Sequence, residues 1–395
     1  MPKSNRTYSK IYLDHASATS IDQGVLKLMN QVYKENFANP SAIHDLGVKS
    51  KNILENARAK VARILGAHTD EIVFTSGATE ANNLALLGVI SGAKHVVTTN
   101  IEHASILEMC KFLERNKKIE VTYVGVEENG IVDPQKIKKA LRPDTSLVSV
   151  MYANNEIGTI QPIKEIAKVI RHYKKLNPTS KVLFHTDSAQ AVNYLDINPT
   201  RLGVDMMTLG SGKVYGPKGV GMLYVKRGGA LSPIIYGGDQ ESNRRAGTEN
   251  VAGVVGFAHA LEIVEKIKIK ESARLQKLRD YFINRLSHSN ILTNDGMILN
   301  GDAIDRLANN VNITIPKIPS DLLVIELSAK GIYASEKSAC KSGDKKTSHV
   351  ISAIRPDELD GSLRFSLGRD TTKQDIDFTL KALQSILTKL KKWYN

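Results

Sequence analysis

The stretch Val182-Leu-Phe-His-Thr-Asp-Ser-Ala-Gln190 decides the fold class, because a short apolar strand ends there and polar side chains follow at once. Similar short runs of residues typical of β-strands recur along the chain, at 71–75, 95–98, 120–123, 147–151, 205–209 and 221–225. Apolar residues with helical spacing fill most of the intervals, at 78–90, 104–115, 134–141 and 162–174. Strands that alternate with helices in this way predict an α/β domain with a mostly parallel sheet.

The chain changes in texture after about residue 250. Two long helical patterns, at about 250–270 and 272–287, come first. Three strands and a final helix follow, at 311–315, 332–335, 362–366 and 373–390. A chain of 395 residues is longer than one average domain. We therefore expect a large domain over residues 14–262 and a small α+β domain that combines residues 1–13 with 263–395.

The composition is that of an ordinary soluble globular protein, with 42% hydrophobic and 24% charged residues. The first ten residues hold no apolar run like that of a secretory signal, and no stretch approaches the ~18 uninterrupted apolar residues of a membrane span. The two cysteines lack Cys-x-x-Cys spacing, so neither a disulfide framework nor a zinc site is expected. We expect a cytoplasmic protein without a bound metal, in which Cys110 is a small core residue of an amphipathic helix.

The formal net charge of the chain is +13. Such a balance fits either an acidic partner, such as RNA or an acidic carrier protein, or a lysine-rich solvated surface. The lysines are dispersed, with only mild clusters at 266–270 and 389–392. Dispersed charge favours the solvated surface, so direct binding of nucleic acid is not expected.

Polar side chains follow several of the predicted strands, at the edge where open α/β sheets bind ligands. The run Thr75-Ser-Gly-Ala-Thr-Glu80 ends one strand and opens a helix, whose first N–H groups suit an anion unless the run is an ordinary capped turn. His103 follows the next strand, where it either stacks on a flat ring, transfers protons or has a structural role. Asn154 and Asn155 follow the strand at 147–151 and are equally consistent with a simple turn.

Three residues in chain order give the most specific chemical signal. Asp187 follows a buried strand and could hold a pyridinium N–H, which keeps a pyridoxal ring protonated as an electron sink. Gln190 could bond the phenolic oxygen of that ring, and Lys213 follows the next strand, where it could bond the cofactor covalently. This order of Asp, Gln and Lys predicts a site for pyridoxal 5′-phosphate.

Cys340 lies in the polar run Ser338-Ala-Cys-Lys-Ser-Gly343 rather than on an apolar helix face. Lysines at 337, 341, 345 and 346 would favour its thiolate, which is the nucleophilic form. Taken alone, the residue could also be an incidental exposed thiol. Together with Lys213 it forms a more specific pair, a nucleophilic cysteine and a lysine that bonds a carbonyl.

With these residues in view, the chain resembles the cysteine desulfurases of the NifS/IscS type, within the class V aminotransferase-like pyridoxal-phosphate enzymes. The resemblance covers nearly the whole length and rests on runs in family order, at 12–19 (YLDHASAT), 39–41 (NPS), 76–80 (SGATE), 102–103 (EH), 154–158 (NNEIG), 187–190 (DxxQ), 213–219 (KVYGPKG), 245–250 (RAGTEN), 338–340 (SAC) and 363–369 (LRFSLGR). It implies fold type I, the aspartate aminotransferase-like architecture of pyridoxal-phosphate-dependent transferases, and a homodimer. It also implies conversion of L-cysteine to L-alanine, with the sulfur passing to an enzyme persulfide and then to an acceptor for iron–sulfur cluster assembly or tRNA thiolation.

The resemblance implies a role for each candidate residue. Lys213 bonds the cofactor and removes the substrate α-proton, while Cys340 takes the sulfur. His103 stacks on the ring, Asp187 pairs with the pyridine nitrogen and Gln190 contacts the phenolic oxygen. The remaining roles are phosphate contacts by Ala78, Thr79 and, from the second subunit, Thr248, and substrate carboxylate contacts by Asn39, Arg364 and Asn155, the last of which also contacts the cofactor.

The chain departs from the family pattern just before the lysine, where the family has Ser three residues earlier and His directly before it. Gly210 and Gly212 stand at these positions and have no side chain to contact the phosphate, which leaves Ser211 as a candidate substitute. The loop of Cys340 is also more charged than is usual in the family. The identity of the sulfur acceptor therefore does not follow from the resemblance.

Two other functions stay open at the level of sequence. A different class V enzyme, such as an aminotransferase or a selenocysteine lyase, would share the cofactor site, although the run around Cys340 argues against a transaminase. A degenerate scaffold or RNA-binding protein would fit the positive charge and the two glycines before Lys213. Product analysis separates the first alternative, and a chain that binds no cofactor would favour the second.

Overall fold

The computed structural model describes residues 10–89, 94–116, 118–229, 231–288, 296–336, 348–356 and 361–394, so Cys340 lies outside the described residues. The strands are β1 Ile11–Tyr12, β2 Ile72–Thr75, β3 His95–Thr99, β4 Glu120–Val124, β5 Thr145–Ser149, β6 Leu183–Asp187, β7 Met206–Gly210, β8 Gly221–Val225, β9 Ile298–Leu299, β10 Asn310–Thr314, β11 Ile332–Tyr333 and β12 Ser362–Ser366.

The large sheet contains seven of these strands, in the order β2-β8-β7-β6-β5-β3-β4. All neighbouring strands pair in parallel except at β8, which runs antiparallel to both β2 and β7. The predicted α/β class and the mostly parallel sheet are therefore confirmed. Because β2, β3, β5, β6 and β7 run in one direction, their carboxyl ends meet at one edge of the sheet.

The helices are α1 Gln23–Glu35, α2 Asp45–Leu65, α3 Ala78–Leu87, α4 Ala104–Arg115, α5 Pro134–Ala140, α6 Ile163–Leu176, α7 Pro199–Leu202, α8 Val251–Ser287, α9 Ser320–Ala329, α10 His349–Ile354 and α11 Lys373–Tyr394. Within the part of the chain that the structure describes, no helix combines the length and apolar composition that a membrane crossing requires.

Two large apolar cores organise the molecule. One lies on the large sheet and includes Phe184 and Val264, and the other includes Leu13, Leu275 and Phe365. The second core surrounds the antiparallel sheet of β9, β10 and β12. The domain boundary expected at 262–263 falls inside α8, which runs from the first core into the second, and the division into domains stays a prediction.

Helix α8 corrects the expectation of two separate helices at 250–270 and 272–287. The structure has one continuous helix, because the region around Glu271 contains neither proline nor glycine to end it. Arg274 instead pairs with Glu271 at 2.7 Å, one turn apart on the same face. The remaining predicted helices and strands lie within a few residues of their expected positions.

Candidate active site

A cavity of about 360 Å³ opens at the edge of the large sheet where the parallel strands end. Arg364 of β12 contributes to its wall, and the segment 16–18 near the start of the described chain forms another side. The predicted site residues that line the cavity are Ala78, Thr79, His103, Asn155, Asp187, Gln190, Lys213 and Arg364. Residues far apart in sequence are thus brought together by strand direction.

Asp187 is the last residue of β6, and its carboxylate is held by two hydrogen bonds. The amide Nδ2 of Asn82 donates to Oδ2 at 2.7 Å, and the backbone N–H of Ala189 donates to Oδ1 at 2.9 Å. Only 7% of Asp187 is exposed. A buried, oriented carboxylate on the cavity wall fits the protonated ring nitrogen of pyridoxal phosphate.

The amino end of α3 faces the cavity through Ala78 and Thr79. No described side chain caps the first N–H groups of this helix. Gly221 of β8 permits the close approach, because a Cβ there would lie 2.5 Å from the carbonyl carbon of Gly77. These N–H groups and the Thr79 hydroxyl suit the cofactor phosphate.

Lys213 ends a short 3-10 turn at 211–213, directly after β7. Its Nζ donates hydrogen bonds to the carbonyl oxygens of Ala16, at 2.8 Å, and Ser17. Gln190 Nε2 donates to the same Ala16 oxygen at 2.9 Å. The cavity therefore offers an amine for the aldehyde of pyridoxal phosphate, a carboxylate for its ring nitrogen and N–H groups for its phosphate, and this donor set fits the cofactor.

Arg364 lies in β12 with only 1% of its surface exposed. Nη2 donates to Asp14 Oδ1 at 2.7 Å and to Ser17 Oγ at 2.6 Å, while Nη1 donates to the carbonyl oxygen of Asn155 at 2.9 Å. Its buried Nε has no hydrogen-bond partner among the described residues. Sequence reasoning missed Asp14 and Ser17, which are about 350 residues away from Arg364 in the chain.

His103 is the N-cap residue of α4, since its Nδ1 accepts the backbone N–H of Ser105 at 3.1 Å. The Ser105 hydroxyl lies 2.8 Å from the same nitrogen, and Asn82 Nδ2 donates to that hydroxyl at 2.8 Å. Sequence reasoning missed Asn82 and Ser105. One signal in the sequence could have identified Asn82. It is a polar residue on the buried face of α3, where its neighbours include Ala81 and Ala85.

Glu102 lies fully buried beside His103. Its Oε1 accepts the Thr99 hydroxyl at 2.7 Å and the N–H of Met151 at 2.9 Å. Burial raises the pKa of Glu102 to about 8, with a smaller contribution in the same direction from the charge of Asp187. The folded protein therefore keeps this carboxyl protonated at neutral pH.

We expect the Glu102 carboxyl to make the protein less stable as pH rises. Its pKa is raised on folding, so the folded state binds more protons than the unfolded state between about 4.5 and 8, and stability falls across that window. Burial lowers the pKa of His185 to about 4, so His185 adds no slope above about 6.5. Between pH 6.5 and 8 Glu102 should therefore remove at most about 2 kcal/mol.

Urea unfolding of Glu102→Gln at several pH values between 6.5 and 8 checks this expectation. The variant should lose the decline, whereas Glu128→Gln, at an exposed position, should keep it. Equal slopes for wild type and Glu102→Gln would contradict the assignment.

Some predicted residues lie away from the cavity. Ser211 is buried, and its Oγ lies against Gly216. Ser211 is not among the residues that line the cavity. Asn39 is exposed and its Oδ1 accepts the N–H of Ser41 at 2.9 Å. Thr248 is exposed as well, and Cys340 lies outside the described residues. The roles of Ser211, Asn39, Thr248 and Cys340 stay predictions.

Cys110 lies in α4 as a fully buried residue, in agreement with its expected place in the core. Burial raises the pKa of its thiol to about 12, and the charge of Glu102 adds to the effect. At neutral pH the residue is a thiol and not a thiolate, so it is a poor nucleophile.

Comparison with known proteins gives consistent results. The family described as aminotransferase class-V matches residues 11–378. The cysteine desulfurase IscS of Dictyoglomus turgidum is 44% identical over 97% of this chain and 95% of its own length. A solved structure of a NifS-like protein superimposes with a TM-score of 0.88 at 34% identity, covering 97% of this chain and 100% of that one. A structure of SspA in complex with cysteine gives a TM-score of 0.77 at 34% identity, over 91% of this chain and 99% of SspA.

Proposed function

Because the chain belongs to the class-V aminotransferase family and, within it, to the cysteine desulfurases, we propose that it converts L-cysteine to L-alanine and passes the sulfur to Cys340. The observation that carries the proposal is the single cavity into which Lys213, Asp187 and Arg364 converge. When bound there, pyridoxal phosphate supplies an electron sink for the substrate α-carbon.

Arg364 would bind the carboxylate of L-cysteine. Its guanidinium is fixed by Asp14, Ser17 and the Asn155 carbonyl, so it needs no reorganisation when the substrate arrives. Arg364 lines the cavity, and its Nη1, which donates to one described acceptor, keeps a second N–H that a substrate carboxylate can use. Asn155 lines the cavity beside it and would bond the same carboxylate.

Arg364→Ala should raise KM for L-cysteine about 30- to 150-fold, because a charge-assisted contact to a partly buried carboxylate contributes roughly 2–3 kcal/mol. Arg364→Lys should rescue poorly, since lysine lacks the planar fork. Arg369→Ala is a matched control from the same run, because Arg369 stacks on Tyr215 at 3.9 Å outside the cavity lining. Steady-state kinetics at matched thermal stability is the measurement, and an unchanged KM in Arg364→Ala would place the carboxylate elsewhere.

The reaction balances without an external redox partner. Lys213 would remove the α-proton of the substrate, and the Cys340 thiolate would attack the substrate sulfur. The S–S bond of a persulfide forms as the substrate Cβ–S bond breaks, and its electron pair stays on the carbon, which then takes up a proton. The enzyme sulfur is oxidised and the substrate carbon is reduced, so that L-cysteine plus the enzyme thiol gives L-alanine plus the enzyme persulfide.

The anchors on either side of the segment 337–347 support Cys340 as the acceptor. Ser335 exchanges backbone hydrogen bonds with Arg364, at 3.1 and 2.7 Å. Ser348 Oγ donates to the buried Glu156 carboxylate at 2.5 Å, next to Asn155. The described chain on both sides of the segment that contains Cys340 is therefore bonded to residues at the cavity wall.

We also propose that two copies of the chain form a homodimer. Large apolar side chains are exposed at Phe37 (77%), Ile43 (98%) and Tyr236 (81%). A cavity of about 600 Å³ lies between the segments of Pro40 and Glu249 in this region. A second copy that covers this surface would remove the apolar groups from water and bring the exposed Thr248 toward the partner's phosphate site.

Thr248→Val should weaken retention of pyridoxal phosphate and make it depend on protein concentration, because a contact across the dimer is lost on dilution. A threonine before a helix can also be its N-cap, but the N-cap of α8 is Asn250, whose side chain accepts the N–H of Gly253 at 3.0 Å. Asn250→Ala is therefore the matched control, with a loss of about 1 kcal/mol of stability and unchanged cofactor affinity. Cofactor dissociation measured over a dilution series tests whether Thr248 contacts the cofactor across the dimer. Wild-type retention in Thr248→Val at every concentration would contradict that contact.

The sulfur acceptor and the cytoplasmic location remain predictions. An iron–sulfur scaffold or a tRNA-thiolation enzyme would each suit a persulfide donor, and labelled cysteine with persulfide transfer to captured proteins identifies which one is used.

Product analysis tests the proposed function. Incubation with L-cysteine, pyridoxal phosphate and a reductant should give equal amounts of alanine and sulfide. A keto acid in place of alanine would identify an aminotransferase, and turnover restricted to selenocysteine would identify a lyase; either would overturn the proposal.

A further inference from the structure

A chain of buried hydrogen bonds joins the carboxylate of Asp187 to the imidazole of His103. Asn82 Nδ2 donates to Asp187 Oδ2 at 2.7 Å and to Ser105 Oγ at 2.8 Å, and Ser105 Oγ lies 2.8 Å from His103 Nδ1. Asn82 is fully buried and Ser105 nearly so. Neither residue lines the cavity, so both act on the site through other residues.

The amide orientation of Asn82 follows from its partners. With its amide reversed, Oδ1 would face the Asp187 carboxylate at hydrogen-bond distance, and two acceptors would repel each other. Both N–H bonds of Nδ2 are therefore used. The Oδ1 atom of Asn82 has no partner among the described residues, although an unpaired buried acceptor costs about 1–3 kcal/mol. Because the unpaired Oδ1 lowers the stability of the fold, we expect that the amide of Asn82 is needed for the site.

The donors and acceptors in this series of hydrogen bonds fix where each proton lies. Ser105 Oγ accepts from Asn82, so its single proton is available for His103 Nδ1. The backbone N–H of Ser105 also points at Nδ1, at 3.1 Å. A ring nitrogen that accepts from one or both of these donors carries no proton itself, and a neutral imidazole must then carry its proton on the other nitrogen.

We propose that Asn82 and Ser105 are positioning residues that hold His103 as the neutral tautomer with its proton on Nε2. His103 then presents a proton donor to the cavity and not a base, which leaves removal of the α-proton to Lys213. The role of His103 as a proton donor rests on the proposed function, because that function supplies the reaction. The tautomer is tested without turnover, so the tautomer can prove wrong while cysteine desulfuration is confirmed, and desulfuration can prove wrong while the tautomer is confirmed.

Nitrogen NMR of the holoenzyme with 15N-labelled histidine tests the tautomer at pH 7.5, with the His103 signals assigned by their loss in His103→Gln. Wild type should show an unprotonated Nδ1 and a protonated Nε2. In Ser105→Ala and in Asn82→Leu a proton should appear on Nδ1 in part of the population, whereas Ser105→Thr, which keeps the hydroxyl, should match wild type. A proton on Nδ1 in wild type would overturn the proposal whether or not the variants fold, and an unchanged Asn82→Leu spectrum would overturn the role of Asn82.

Asn83→Ala is the matched control for the neighbouring position. Asn83 Nδ2 donates to the backbone carbonyl oxygen of Ser105 at 3.1 Å, not to its hydroxyl. An effect that comes only from disturbing the local structure would therefore appear in Asn83→Ala too. We expect Asn83→Ala to keep the wild-type tautomer. Ser105→Ala should lower kcat roughly 10- to 100-fold, as expected for a misplaced proton donor, and leave KM within about twofold. Equal losses in Ser105→Ala and Asn83→Ala would overturn the proposal in favour of a structural role.

Discussion

Lys213→Ala should abolish turnover of L-cysteine and the visible absorbance of covalently held pyridoxal phosphate, with a loss of roughly 1,000-fold or more in kcat. The side chain supplies both the covalent bond to the cofactor and the base for the α-proton. Its Nζ is held at the cavity wall by the carbonyl oxygens of Ala16 and Ser17, so its position depends on a segment nearly 200 residues away in sequence. Absorbance spectra and kinetics of the purified variant are the measurement.

Lys218 provides the control for Lys213. It also lines the cavity, and its Nζ donates to the carbonyl oxygen of Thr19 at 2.6 Å. Lys218→Ala should keep the covalently held cofactor. Borohydride reduction of wild type followed by peptide mass spectrometry should find the cofactor on Lys213, and its recovery on Lys218 would show that the lysines have been assigned wrongly.

Cys340→Ser should lose persulfide and sulfide formation while it keeps bound cofactor and L-cysteine. A hydroxyl is a poor acceptor of sulfur, and the residues of the cofactor cavity are untouched by the change. Sulfide release in the presence of dithiothreitol and titration of the cofactor spectrum with L-cysteine are the two measurements. Undiminished sulfide release would rule out Cys340 as the nucleophile.

Cys110→Ser is the matched control, because it removes the thiol of the chain's other cysteine. The thiol is buried in α4, and its raised pKa keeps it protonated at neutral pH. The variant should lose some stability, since a hydroxyl replaces a buried thiol in an apolar core, and should keep wild-type sulfide release.

The sheet was predictable from sequence because its signal is local. Each apolar run between turn residues gave one strand, and polar residues such as Asp187 and His103 at the strand ends marked the edge where the cavity lies. Parallel direction then follows from the helices between the strands. Residues at different strand ends could therefore be assigned to one site from the sequence alone.

Contacts between distant segments were not predictable in this way. The ion pair of Arg364 with Asp14 at 2.7 Å joins opposite ends of the chain, and nothing in either run specifies the other. Asn82 appears in sequence as one polar residue of a helix, and only the packing of α3 over the end of β6 brings it to Asp187. Ser211 is next to Lys213 but one in sequence, yet it is not among the residues that line the cavity, so sequence proximity alone does not bring a side chain to the site.

Transfer of radiolabelled sulfur to the protein tests the central claim most directly. Holoenzyme mixed with stoichiometric 35S-L-cysteine without reductant should carry about one label per chain on the peptide that contains Cys340, with an equal amount of alanine released. Cys110→Ser should be labelled in the same way, and dithiothreitol should remove the label as sulfide. Alanine formed with no label on the Cys340 peptide would contradict the account.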